Sequence, residues 1–116
     1  MIFEDIDNEK FIEFYKSQEF VLLDIRAQEE YDYIRIKNSI LIDFSEVDFE
    51  DKIYDLDRSK KYLLYCRSGK RSLFALELMK EYNFIEAYNL TKGINEFLYE
   101  EYLECQKGKC LIKLPY

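Results

Sequence analysis

Cys66 is followed within five residues by three cations and a glycine, in the order Cys66-Arg67-Ser68-Gly69-Lys70-Arg71, with Ser72 next. A thiol in that company has chemistry open to it, because the thiolate is the nucleophilic form and nearby cations stabilise it. Gly69 permits the positive φ that lets successive backbone amides turn inward as an anion-binding nest. A cysteine that merely fills a core requires none of these neighbours. Cys66 is therefore the candidate nucleophile. Arg67, Ser68, Gly69, Lys70, Arg71 and Ser72 are the candidate binding groups, although Ser72 could equally cap the helix that follows.

The elements around the loop are set up to hold it. Tyr62, Leu63, Leu64 and Tyr65 form a continuous apolar run, which suits a strand covered on both faces. After the loop, a helix beginning near Arg71 carries Leu73, Phe74, Ala75, Leu76, Leu78 and Met79, leaving Glu77, Lys80 and Glu81 for solvent. The thiol is thus expected at a strand-to-helix junction, where unpaired N–H groups favour anions.

The rest of the chain alternates in the same way. Ile2 and Phe3 read as a short strand, and Phe11, Ile12, Phe14 and Tyr15 as a helix running to Ser17. Phe20 to Leu23 reads as a buried strand ending at Asp24, and Asp24 with Arg26 as an internal ion pair fixing the turn. Glu29 to Ile34 suggests a short helix, and Ser39 to Phe44 a strand. The acidic run from Ser45 to Leu56 suggests one short helix or turns with a solvated face. Ile85 to Leu90 reads as the last strand, before a helix from about Lys92 to Tyr102. Such alternation is the signature of a parallel sheet with helices on both faces, here of about five strands.

Composition narrows the chemistry. The 116 residues suit one domain. Histidine is absent, which removes a Cys-His pair, a Ser-His-Asp triad and any His-ligated metal within the chain. The net charge of −7 argues against nucleic acid as an electrostatic partner and makes the basic loop conspicuous. Three cysteines, at 66, 105 and 110, do not suggest a disulfide framework. Cys105 and Cys110 could be a resolving pair or ordinary tail thiols, and zinc would lack a fourth ligand. No stretch approaches a membrane span or a leader peptide, so a cytoplasmic protein is expected.

The loop and its flanks resemble a single-domain rhodanese, a sulfurtransferase. The resemblance is carried by Asp24-Ile25-Arg26 with Glu30-Tyr31, like the family's D-x-R…E-[FY], and by Ile36 to Ile42, like its H-I-x-G-A-x-x-I. It continues through Cys66 to Ser72 and, more weakly, Leu90 to Phe97. Arg35 stands where the family often has histidine, Asn38-Ser39 replaces Gly-Ala, Lys92 replaces a glycine and Phe97 a tryptophan. The resemblance implies a three-layer rhodanese-like domain over residues 1–104, with residues 105–116 a C-terminal extension to which no structure is assigned.

It implies further that the Cys66 thiolate takes the outer sulfur of a small anionic donor such as thiosulfate. A thiol, a protein acceptor or cyanide then receives it, without metal or organic cofactor. Arg67, Lys70 and Arg71 would hold the donor's oxyanion, and the amides from Arg67 to Ser72 the persulfide. Two alternatives stand beside this. One is a sulfur-carrier or docking module; the other is phosphatase or arsenate reductase chemistry on the same scaffold. That chemistry needs five residues between cysteine and arginine to encircle a tetrahedral anion, and here there are four.

Overall fold

The computed structural model describes residues 1–105. Five strands, β1 (Ile2–Ile6), β2 (Phe20–Asp24), β4 (Ile40–Leu41), β5 (Lys61–Tyr65) and β6 (Glu86–Leu90), form one sheet in the order β1-β6-β5-β2-β4. Every pairing in it is parallel. Between them run α1 (Asn8–Ser17), α2 (Gln28–Tyr33), α3 (Phe49–Tyr54) and α4 (Lys70–Glu81). Two three-residue strands, β3 (Ile34–Ile36) and β7 (Leu103–Cys105), pair antiparallel beside the main sheet. The α/β architecture read from the sequence is the one observed.

β5 lies at the centre of the sheet, and its side chains alternate between two cores. Tyr62 and Leu64 join Leu23, Phe49, Ile53, Leu76, Met79 and Ala87 on the face covered by α3 and α4. Leu63 and Tyr65 join Phe11, Ile12, Leu22, Ile34, Ile36 and Tyr88 on the face covered by α1. A strand buried on both sides needs apolar residues at every position, which is why the run shows no polar break. Helix α4 seats on its core through Ser72, Ala75, Leu76 and Met79, spaced as one face of a helix. Leu73 and Phe74, apolar in the pattern, stay 39% and 45% exposed.

Three local expectations are corrected. The single helix from Lys92 to Tyr102 is instead two short 3₁₀ turns, Ile94–Glu96 and Glu100–Tyr102. Gly93 enters the first with φ 66° and ψ −169°, which no helix accommodates, and the Ile94 and Asn95 amides are spent on the cysteine loop. The strand expected over Ser39 to Phe44 shortens to Ile40–Leu41, because the Asp43 carboxylate turns the chain by accepting from both the amide and the hydroxyl of Ser45. The expected helix ending at Ile34 ends at Tyr33, and Ile34 opens β3.

β3 and β7 carry too few residues for a periodicity signal. Cys105 closes β7 opposite Ile34, so the boundary expected at residue 105 falls inside a strand. Cys110 and the rest of the expected extension lie outside the described residues. No helix among the described residues is long and apolar enough to cross a membrane.

Candidate active site

Cys66 directly follows β5, at the carboxyl edge of the parallel sheet where ligands bind in open α/β folds. Its sulfur is the focus of the loop. Sγ accepts from the Gly69 amide at 3.1 Å, the Ser72 amide at 3.4 Å and the Ser72 hydroxyl at 3.3 Å. The two amides are donors of the kind that stabilise negative charge, fixed by the backbone before any charge forms, and the one Ser72 hydroxyl proton is shared between the sulfur and the Gly69 carbonyl, also at 3.3 Å. Cys66 and Ser72 are wholly buried.

The loop keeps this shape because the chain closes on it from the far side. Gly69 has φ +96°, and a Cβ there would lie 2.2 Å from the Thr91 carbonyl oxygen. A Cβ on Gly93 would lie 2.3 Å from the Arg67 carbonyl oxygen. Only glycine fits at either place. The Ile94 amide donates to the Cys66 carbonyl at 2.9 Å and the Asn95 amide to that of Arg67 at 3.1 Å. From β6, the Asn89 Nδ2 donates to the Gly69 carbonyl at 3.0 Å and to Asp5 Oδ1 at 2.8 Å. Asn89 was not singled out from the sequence, where its only signal is a polar residue inside an otherwise buried strand.

The cations divide into two kinds. Arg71 makes a bidentate contact with Glu30 of α2, Nη1 to Oε1 at 2.9 Å and Nη2 to Oε2 at 3.0 Å. Burial pushes the Glu30 carboxyl up, but the Arg71 hydrogen bonds, the Ala27 amide and the nearby positive charges together hold it below its ordinary range. The Glu30 hydrogen bonds in turn raise the Arg71 guanidinium, with the charges of Glu30 and the Cys66 sulfur adding to them against burial. Arg67 and Lys70 are exposed, and neither joins an ion pair among the described residues. With Ser68, also exposed, they line a cleft of about 660 Å³ whose other walls are Ala27, Glu29, Glu30, Arg71 and Asn95.

Beneath this wall lies the expected internal ion pair. Arg26 grips Asp24 through Nε at 2.9 Å and Nη2 at 2.7 Å, and Nη2 also reaches the Ile34 carbonyl at 2.6 Å. The pair ties the end of β2 to β3 and does not enter the cleft lining. Among the described residues, no group of three or more Cys, Asp or Glu side chains is gathered as for a metal ion.

A family model described as Rhodanese-like domain matches residues 7–100. The tRNA uridine(34) hydroxylase of Cytophaga hutchinsonii is 36% identical over 95 residues, covering 79% of this chain and 30% of that protein. This chain therefore spans less than a third of that relative's length. The thiosulfate sulfurtransferase GlpE of Coxiella burnetii is 27% identical over 94 residues, covering 80% of this chain and 85% of the relative. Among solved structures, a rhodanese-related protein from Thermoplasma volcanium superposes with a TM-score of 0.71 at 29% identity, covering 85% of this chain and 94% of that one. Since the family match runs from the cap of α1 through the cysteine loop to the second 3₁₀ turn, the chain belongs to the rhodanese-like domain family.

Proposed function

We propose that the protein is a sulfurtransferase working through a persulfide on Cys66. The observation that carries this reading is the convergence of three donors, two amides and one hydroxyl, on the Cys66 sulfur. In the first half-reaction the Cys66 thiolate attacks the outer sulfur of thiosulfate or a persulfide donor. The new S–S bond takes that sulfur, and sulfite or a thiolate leaves with the electron pair of the broken bond. In the second, an acceptor thiolate or cyanide attacks the outer sulfur, and Cys66 leaves as thiolate. Electrons balance within each step, and neither step calls on a metal or organic cofactor.

Each residue of the loop has a part in this scheme. The amides between Arg67 and Ser72 hold the negative sulfur, which Gly69 makes possible by its positive φ. Ser72 adds its hydroxyl. Arg67, Lys70 and Ser68, exposed in the cleft, meet the donor's oxyanion. Arg71, occupied by Glu30, contributes its charge more than a direct grip. The same occupation argues against phosphatase or arsenate reductase chemistry, where the loop arginine must fork around the tetrahedral anion.

Intact-mass measurement after incubation with thiosulfate or a persulfide donor should show one added sulfur, removable by cyanide. Cys66→Ser should abolish both, since the chain has no histidine to activate a hydroxyl. Ready hydrolysis of an aryl phosphate by a protein that takes up no sulfur would overturn the reading.

A further inference from the structure

A second concavity, of different character, lies near the cleft lined by Arg67 and Lys70. Phe74, on the first turns of α4, meets the Phe44 ring edge-on with centroids 5.9 Å apart, and Phe44 packs on Phe49 at 5.0 Å. These rings floor a groove of about 500 Å³ whose rim carries the fully exposed Val47 with Glu46, Glu50 and Asp51. None of those carboxylates joins an ion pair among the described residues. The cation beside them, Lys52, is paired with Asp48 at 3.6 Å.

Groove and cleft share their supports. Lys70, which lines the cleft, stands one helical turn before Phe74 on the same side of α4. Asp43 accepts from the Gln28 amide at 3.0 Å, next to Ala27 of the cleft wall, and from the Ser45 amide at 2.8 Å, next to Glu46 of the groove. A ligand seated in the groove is therefore next to the entrance of the cysteine loop.

We propose that this groove docks the sulfur acceptor, and that the acceptor is a protein whose reactive thiol neighbours a segment of basic and apolar side chains. The proposal rests on the sulfur-transfer reading and adds the partner. A small thiol would need only the cleft. Among the described residues, the groove rim holds three carboxylates outside any ion pair, Glu46, Glu50 and Asp51, while the cleft holds the unpaired cations Arg67 and Lys70 against the single unpaired carboxylate of Glu29, a difference in sign that fixes which way round a partner sits. The apolar floor calls for apolar anchors between the partner's cations. A second copy of this chain, at a net charge of −7, an anionic lipid surface and a nucleic acid all carry the wrong sign.

The probe is a synthetic peptide with one cysteine flanked by lysine and leucine residues, compared with a twin carrying glutamate for lysine. Persulfidated protein should transfer sulfur to the lysine peptide about tenfold faster than to its twin at low salt. Each rate is read against that of a variant, so the peptides' own thiol reactivity cancels. Glu46→Lys with Glu50→Lys should remove the preference while transfer to dithiothreitol stays within about twofold, as expected for rim charges.

Glu9→Lys with Glu13→Lys makes the same change in net charge on α1, across the sheet from the groove, and should leave the preference in place. Phe74→Ser should slow transfer to the lysine peptide several-fold, through loss of apolar contact. Loss of preference in the α1 variant equal to that in the groove variant would overturn the proposal, as would a preference that survives the groove reversal. If the protein takes up no sulfur at all, the sulfur-transfer reading falls. Titration of the fluorescently labelled lysine peptide into the same variants then decides the docking surface separately, tight binding lost only in the groove variants supporting it and any other pattern ending it.

Discussion

The Asp24–Arg26 and Glu30–Arg71 pairs join the same chemical groups, a carboxylate and a guanidinium, and their surroundings give them different physics. The first is wholly sealed, both side chains 0% exposed, while in the second Arg71 keeps 30% and Glu30 10%. Burial pushes the Asp24 carboxyl up by more than the Arg26 hydrogen bonds and charge bring it down. For Glu30 the balance falls the other way, and its carboxyl is held low. A sealed pair is thus a costly positioning device, here binding β2 to β3. A pair left partly in water is a net attraction, here pulling α2 against the loop.

The largest effect should come from opening the sealed pair. Asp24→Asn leaves a buried guanidinium without its counter-charge and should cost about 3–5 kcal/mol in urea unfolding. Replacing both partners with apolar residues of like volume, Asp24→Leu with Arg26→Met, should recover much of that, because no charge is then left buried. A cost for Asp24→Asn no larger than that of a surface pair would break the comparison.

Next is Glu30→Gln, which keeps an acceptor for the Ala27 amide and loses the charge opposite Arg71. It should cost about 1.5–3 kcal/mol, the range for hydrogen bonds to charged groups. The sign of its pH dependence follows from the depressed carboxyl. The stabilisation is fully present above the ordinary value of 4.5 and fades as pH falls through the lower folded value. Unfolding curves of wild type and variant should therefore lie a constant distance apart at neutral pH and converge in acid. A gap that widens below pH 4.5 would contradict the direction assigned to Glu30.

The smallest effect should be at Arg35 and Glu104, which meet at 3.1 Å between β3 and β7 with side chains 29% and 49% exposed. Glu104→Gln should cost less than about 1 kcal/mol, and less still in high salt. A cost matching that of Glu30→Gln would mean that exposure does not rank these three pairs.

Much of this was legible in the sequence where it depended on neighbours in the chain. Apolar runs located β2, β5 and β6, and periodicity located α1 and α4. The helix expected at Lys92 failed for a physical reason. Its amides found better partners in the Cys66 and Arg67 carbonyls, and Gly93 took a backbone conformation that no local pattern announces. β3 and β7 were invisible because each is stable only against the other.

The spacing from Cys66 to Ser72 by itself determined that a thiol would meet inward-turned amides in a loop that also carries cations, because a strand end, a glycine and a helix start within seven residues leave the backbone few other courses. Which of those cations is free was a tertiary matter. Arg71 is engaged because Glu30, 41 positions away in the chain, is brought against it by α2, and Arg67 and Lys70 stay exposed because nothing in the described fold reaches them. The same holds for Phe74. Its apolar character is a property of the residue, but its exposure beside an acidic rim exists only once α3 and α4 have packed and left that ring uncovered.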